Sequence, residues 1–597
     1  MDVDTAVDPT VASRLLRWHR ITPEKPAFVF ITEGAGGAKV RPDTLTCAQL
    51  YTKAALRADY LRSQFGIGPH DVVCNTLPNS PERVITDMAI ILAGAVMLNA
   101  PRTFDSDDLR RQFCDYLLRL DVLLIVFTRT DPLSTAIVRQ AVEMKIALYC
   151  VDCVYATDVE EITSDLPAML NEETRARMLN IRRDNLAVLW VTRGRGGHLR
   201  VVGHSHRSVL EIGKQFQKHL LQLERKDVYF CSAGLGSLYG FPALFLETGV
   251  TTVVENEIVC RVNDKQDHSS ASLLPRPLLS WNMLMRHSCT RAFFTTHDIE
   301  RYYDARQLPR DFRQRKLKRV VIAGDSVKPA LVKALHGPVA KEVLVAYCTA
   351  ELGVVAYSER SDIPFEESDR LLLTKHTEVV TKDLFHGCVL EKGRRGLLAI
   401  KNDSMKPQLV ADLRTNMDRL GTLLDWIPTE DLGQLTSDGS LILLGRIDVA
   451  EAKALQVCME EDEWYLRGWV EGISDAAMVL YKLEGEPLEI VGCLTLDDGE
   501  WPDSAREKCK EFMEHMEGQK ATRFIIFDAF LKTPSGFVDR RQLQDLVAID
   551  IKSEAAFNWR WRPTVKRISR EEDCCCCLLY TSPSPRDCIV SRMPSSA

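Results

Sequence analysis

The chain has 597 residues, of which 45% are hydrophobic and 27% are charged, and its formal net charge is −7 at pH 7. This length exceeds what one ordinary hydrophobic core organises, so we expect at least two domains. The composition is that of a globular protein and excludes disordered and fibrous classes. A net negative charge gives no general attraction to nucleic acid, so we expect no nucleic-acid partner.

The first residues and the cysteines predict where the chain resides. Residues 1–9 are acidic and have no apolar centre, so no secretory signal is expected. The apolar run 88–98 is much shorter than the roughly 20 residues that span a bilayer, and it is interpreted as a buried helix. The cysteines before residue 574 have no regular spacing, which is typical of reduced thiols. We therefore expect a cytoplasmic protein without a transmembrane segment, and peripheral contact with a membrane stays open.

Apolar runs of strand length alternate with helical stretches in the first third of the chain. Residues 122–127 (VLLIVF) form a continuous apolar run between helical patterns at 109–119 and 135–144. Such runs fit strands buried on both faces of a parallel sheet, and the alternation predicts an α/β fold. A second run, 186–191, has the same character. Ligands bind at the carboxyl ends of strands in open α/β sheets, so the residues just after this run are candidates for a binding site.

A glycine-rich, arginine-rich loop comes directly after that second strand. Its glycines and arginines are Arg193, Gly194, Arg195, Gly196, Gly197 and Arg200. The backbone N–H groups of such a loop can cradle a phosphate, and the arginines add positive charge. A surface hairpin with solvated arginines explains the same residues, because a glycine cluster alone is a weak motif.

Five segments of the chain together resemble, in order, motifs of the adenylate-forming superfamily, which contains acyl-CoA synthetases, luciferases and peptide-synthetase adenylation domains. In the phosphate loop the matching residues are Thr192, Gly194, Gly197, Val202, Ser205 and His206. Arg200 stands at a lysine position of that loop. Gly240 matches a segment that precedes a helix lining the acyl pocket in relatives, and Gly324 matches a glycine of a strand-and-turn motif.

The remaining matches imply further contacts to a nucleotide. Tyr347 matches a tyrosine near the adenine in relatives, and Glu351 matches a magnesium ligand. Mg²⁺ in phosphate sites typically takes one or two carboxylates besides phosphate and water. Asp431 can accept hydrogen bonds from two ribose hydroxyls, and Arg446 can donate to the same sugar. Residues 437–439 (SDG) between them also predict a β-hairpin turn.

The pattern changes after Arg446. The resemblance predicts a large N-terminal domain over 1–447 and a small α+β domain over 448–553, joined by a hinge. Residues 531–543 resemble the family segment that carries the catalytic lysine, but Phe537 stands at the lysine position. Residues 554–573 are interpreted as an extension.

The last residues of the chain have a different character from the rest. Residues 577–587 resemble the translation of a sequencing adapter, so we expect 574–597 to take no part in the fold and the natural C-terminus to be missing.

The resemblance implies a ligase that uses ATP to activate a carboxylic acid, such as a fatty acid, through an acyl-adenylate, releases AMP, and passes the acyl group to coenzyme A. The catalytic positions are then Arg200, Glu351 and Phe537. A lysine would stabilise the charge that develops on the reacting oxygens, and its loss costs about 10²–10³ in rate. Three hypotheses stay open: a slow or repurposed ligase, a non-catalytic protein that binds nucleotide or acyl-adenylate, and an interaction scaffold.

Overall fold

A computed structural model describes the larger part of the chain. The described residues are 9–31, 42–102, 104, 106–151, 181–193, 199–255, 284, 287–304, 316–324, 327, 329–358, 370–384, 386–402, 405, 407, 409–412, 419–420, 426–447, 459, 463, 466–467, 470, 472–481, 489–496, 507–509, 521–532, 538–556 and 566–568. The chain divides into two compact units, Met1–Glu451 and Ala452–Ala597.

Helices are interspersed with strands in the first unit as far as residue 340, and the described elements from residue 340 to residue 446 are strands. The helices of the described residues are α1 Val11–Ile21, α2 Cys47–Phe65, α3 Pro81–Leu92, α4 Asp107–Arg119, α5 Pro132–Glu143, α6 His206–Gln215, α7 Ala243–Thr248, α8 Thr296–Asp304, α9 Pro329–Leu335 and α10 Arg540–Ala556, and a π-helix, Phe216–Leu221, continues α6.

The strands of the described residues are β1 Pro26–Ile31, β2 Asp43–Thr46, β3 Val72–Asn75, β4 Val96–Asn99, β5 Val122–Phe127, β6 Ala147–Cys150, β7 Leu186–Arg193, β8 Leu199–Ser205, β9 Val228–Cys231, β10 Thr251–Glu255, β11 Arg291–Thr295, β12 Leu317–Ala323, β13 Ala340–Thr349, β14 Gly353–Tyr357, β15 Arg370–Leu373, β16 Thr377–Lys382, β17 Arg395–Asn402, β18 Leu409–Asp412, β19 Arg419–Leu420, β20 Ile427–Leu435, β21 Leu441–Arg446, β22 Ile473–Tyr481, β23 Glu489–Leu496, β24 Ala521–Phe527 and β25 Lys566–Ile568.

One sheet of the first unit carries the predicted parallel core. Within the described residues it has eight strands in the order β19-β18-β8-β7-β4-β3-β5-β6. Neighbouring strands from β7 through β6 pair in parallel, whereas β7 and β8 form an antiparallel hairpin. Along β5, Leu124 and Val126 pack into one hydrophobic cluster, and Val122 and Ile125 pack into another. The strand is thus buried on both faces, which confirms the α/β prediction.

The apolar run 88–98 is not one helix, so that interpretation was wrong. Helix α3 ends at Leu92, and β4 begins at Val96. Gly94 has φ +85° between them, a left-handed conformation that glycine adopts without the steric cost of a Cβ atom. The turn reverses the chain, so that both the helix and the strand contribute to the core.

The second large sheet brings the later motifs together. The described residues form thirteen strands in the order β16-β17-β20-β21-β15-β14-β13-β12-β11-β9-β10-β1-β2. Strands β10, β9, β11, β12 and β13 pair in parallel. The predicted hairpin is β20–β21, with Gly439 at φ +89° in its turn. Its register places Asp431 directly opposite Arg446.

The second unit contains a small mixed sheet in the order β22-β23-β24-β25. Strands β22 and β23 are antiparallel, and the other two pairs are parallel. Arg540, at the start of α10, donates to the Met478 carbonyl oxygen at 2.7 Å and forms an ion pair with buried Glu463. This pair fixes α10 against the sheet.

No helix in the described parts of either unit is long and apolar enough to cross a membrane.

Candidate functional site

Most of the predicted site residues of the first unit line one cavity of about 250 Å³, close to the lower end of the volumes typical of ligand pockets. The lining residues include Thr192, Arg200, Gly324, Glu351, Asp431 and Arg446. They come from the β7–β8 hairpin of one sheet and from the ends of β12, β13 and the β20–β21 hairpin of the other. The fold therefore joins residues that are more than 200 positions apart in the sequence.

The carboxylate of Asp431 is held in a fixed orientation. The Tyr347 hydroxyl donates to Oδ2 at 2.6 Å, and Arg446 Nε donates to Oδ1 at 3.0 Å. Asp431 is only 5% exposed. Burial, together with the charge of Asp431, raises the pKa of Tyr347 well above its ordinary value, so the phenol stays a donor. A carboxylate oxygen accepts more than one hydrogen bond, so Asp431 retains capacity for a ribose diol.

Arg200 lies against Glu351. The Arg200 Nη1 atom is 3.3 Å from Glu351 Oε1, and both side chains are largely buried. Arg200 belongs to β8, and Glu351 follows β13, so the ion pair connects the two large sheets. The phosphate-loop cation and the expected magnesium ligand therefore contact each other.

His204 provides a second link between the same elements, and the sequence interpretation missed it. Its Nε2 is 2.6 Å from the Ala350 carbonyl oxygen, to which it donates. Burial lowers the pKa of His204 to about 4, so the ring is neutral at pH 7. Side chains two and four positions apart share one face of a strand. That spacing from Arg200 is the signal that could have identified His204.

Thr192 and Gly324 complete the described part of the predicted set. The Thr192 hydroxyl donates to the Arg200 carbonyl oxygen at 3.4 Å, across the β7–β8 hairpin. Gly324 directly follows β12 and has φ +126°, a conformation that an L side chain rarely adopts. Gly194, Arg195, Gly197 and Phe537, and the side chain of Arg193, lie outside the described residues, so their predicted roles stay predictions.

A buried arginine lies beneath the loop that borders the cavity. Gly236 lines the cavity, and a Cβ atom at this position would be 1.9 Å from Arg83 Nη2. Arg83 is fully buried, donates to Asn99 Oδ1 at 2.7 Å, and donates to the Leu77 carbonyl oxygen. The absence of a side chain at Gly236 therefore lets the loop lie directly on the guanidinium. The sequence interpretation did not predict this contact.

Comparison with known proteins decides the family. The profile described as AMP-binding enzyme matches residues 15–407, which is more than half of the chain. The chain belongs to the AMP-binding enzyme family. No curated protein matches this member of the family.

Solved structures support the same fold for this AMP-binding family member. A benzoate CoA ligase from Burkholderia xenovorans LB400 is similar over 90% of this chain and 100% of its own, with a TM-score of 0.66 and 16% identity. An o-succinylbenzoate CoA synthetase from Bacillus subtilis, solved with an acyl-adenylate intermediate, has a TM-score of 0.64 and 16% identity over 89% and 98% of the two chains. A Mycobacterium tuberculosis fatty acyl CoA synthetase has a TM-score of 0.60 and 16% identity over 91% and 99%. The identities are low, so these similarities establish the fold and leave substrate open.

The described residues fit a nucleotide better than they fit a metal ion. Asp431 presents a fixed acceptor and Arg446 a fixed donor, as a ribose requires. Glu351, the expected magnesium ligand, instead contacts a guanidinium.

Proposed function

We propose that this protein binds an adenine nucleotide and a carboxylic acid in the first unit, and that it is an acyl-CoA synthetase-like, AMP-forming ligase whose adenylation step is impaired. The observation that supports nucleotide binding most directly is the arrangement of Asp431 between Tyr347 and Arg446 in the cavity. This carboxylate borders the cavity and keeps acceptor capacity for a ribose diol, which supports nucleotide binding over a scaffold that binds no ligand.

The acid is proposed from the resemblance and from the similar structures. These are named as CoA ligases or synthetases for benzoate, o-succinylbenzoate and fatty acyl substrates, and the o-succinylbenzoate CoA synthetase was solved with its acyl-adenylate intermediate. Leu238 and Tyr239 give one wall of the cavity an apolar and aromatic surface. Tyr239 stacks on Phe293 with ring centroids 4.6 Å apart, which holds that wall in place. We propose a fatty acid as substrate and coenzyme A as acyl acceptor, both from the resemblance.

Impaired adenylation is proposed because two residues that would act on one transition state differ from the family pattern. Phe537 cannot supply the positive charge of a lysine to the reacting oxygens. Ala350 lines the cavity where relatives have a threonine, and it has no hydroxyl to donate to a phosphate. The second candidate function, binding of an acyl-adenylate without its formation, is favoured by these same two positions.

Two half-reactions separate these functions. Adenylation is measured as acid-dependent release of pyrophosphate from ATP, and thioester formation as consumption of a supplied acyl-adenylate in the presence of coenzyme A. We expect the second to exceed the first, because the thioester step need not involve position 537. Robust adenylation by the wild-type protein would contradict the impairment, and no binding of AMP, ATP or acyl-adenylate would contradict the proposed function altogether.

A further inference from the structure

Two different cations, a magnesium ion or the guanidinium of Arg200, could pair with the carboxylate of Glu351 in the cavity. The resemblance assigns Glu351 to magnesium, but in the structure Arg200 contacts it at 3.3 Å. Glu351 is 7% exposed, so its charge is poorly screened by water and needs a partner close by. Arg200 supplies that partner from within the protein.

The position of Arg200 is fixed by the backbone on both sides. Strand β8 lies between β7 and β18, and its register places Arg200 opposite Thr192 on one side and Asp412 on the other. Glu351 is fixed as well, because His204 of the same strand β8 binds the carbonyl oxygen of the preceding residue, Ala350. The two sheets therefore hold the backbone at Arg200 and next to Glu351 in place, and the ion pair forms between side chains that the fold has already brought together.

The other cavity carboxylate that we assign to the nucleotide is also engaged. Both oxygens of Asp431 accept hydrogen bonds, one from Tyr347 and one from Arg446. A magnesium ion at Glu351 would lie beside the guanidinium of Arg200 and would be repelled by it, which opposes metal binding at this carboxylate. This donor set suits an arginine better than a divalent cation.

We propose that Arg200 provides the positive charge that magnesium would provide at the nucleotide phosphates, so that nucleotide binding by this protein does not depend on a divalent cation. A guanidinium carries five N–H donors and can contact a carboxylate and a phosphate together. Arginine also keeps its charge at every working pH. This inference rests on the proposed function, because it assumes that the cavity binds a nucleotide.

Calorimetric titration with ATP, in excess magnesium chloride and in excess EDTA, tests the proposal on the full chain. We expect the wild-type Kd to be similar in the two conditions. In Arg200→Met the side chain keeps its length but loses its charge and donors, so ATP binding in EDTA should weaken by about tenfold or more, the equivalent of one lost charge-assisted hydrogen bond. Added magnesium should then restore much of the binding, because Glu351 is released. The matched control is Arg207→Met, which removes an exposed arginine at the start of α6 and should change neither Kd.

The outcomes separate the inference from the function on which it rests. Wild-type protein that binds ATP only with magnesium would overturn the role of Arg200 and leave nucleotide binding intact. Absence of ATP and AMP binding in both conditions would overturn the proposed function instead. Because the wild-type comparison decides the matter alone, the test remains valid if Arg200→Met fails to fold.

Discussion

Replacing Asp431 by alanine should remove most of the nucleotide affinity. The carboxylate can accept two hydrogen bonds from a ribose, and each hydrogen bond to a charged group contributes about 1.5–3 kcal/mol. The lower end of that range, taken twice, gives about 3 kcal/mol, which corresponds to a loss of about 10²-fold in affinity. The assay is calorimetric titration of wild-type protein and Asp431→Ala with AMP, which has no β- and γ-phosphates.

The same substitution also affects the fold, and the two effects can be separated. Asp431→Ala leaves the Tyr347 hydroxyl buried without its acceptor, which costs about 1–3 kcal/mol. In the double variant Asp431→Ala/Tyr347→Phe that hydroxyl is gone, so we expect part of the thermal stability to return while AMP affinity stays low. Asp438→Ala, an exposed aspartate in the turn of the same hairpin, is the matched control. AMP affinity that is unchanged in folded Asp431→Ala would refute the assignment.

Other parts of the molecule give three further predictions. Gly236→Ala places a Cβ atom 1.9 Å from a buried guanidinium and should destabilise the protein by about 3 kcal/mol or more, as displaced buried charges do, whereas Gly234→Ala meets nothing within 4 Å and should stay close to wild type in thermal melts. Burial lowers the pKa of His204 and His206 to about 4 from 6.5. As the pH falls, both histidines are therefore protonated in the unfolded chain before they are protonated in the folded protein. The contribution of each histidine to the free energy of unfolding is therefore fully present above pH 6.5 and falls by about 3 kcal/mol as the pH drops to 4. Thermal melts across this pH range measure the effect, and the same acid dependence after both histidines are changed to glutamine would contradict it. Phe537→Lys alone should leave pyrophosphate release nearly unchanged, because effects of groups acting on one transition state are not additive, and a gain of about 10²-fold would show that the missing lysine is the only serious defect.

Local patterns in the sequence predicted the parts of the site that a short segment builds. Asp431 and Arg446 face each other because 437–439 forms the turn that the Ser-Asp-Gly sequence indicates, and hairpin register then fixes the pair. The buried strand β5 was predictable for a similar reason, since six consecutive apolar residues fit a strand covered on both faces.

Contacts between distant segments were not predictable in this way. Arg200 and Glu351 are 151 positions apart, and only the approach of two separate sheets brings them together. Sequence patterns assign each residue to a motif, but they do not state which side chain reaches which neighbour. The interpretation of 88–98 as one helix failed for a different reason, because short apolar runs fit a buried helix and a buried strand equally well, and Gly94 decided between them.

The most direct test of nucleotide and acid binding in the first unit uses a stable acyl-adenylate mimic, an acyl-sulfamoyl-adenosine with a fatty acyl chain, titrated calorimetrically into the full chain. We predict saturable binding of one equivalent, tighter than that of AMP, and lost in Asp431→Ala but not in Asp438→Ala. Absence of saturable binding to the wild-type protein, or equal affinity in Asp431→Ala, would contradict the account.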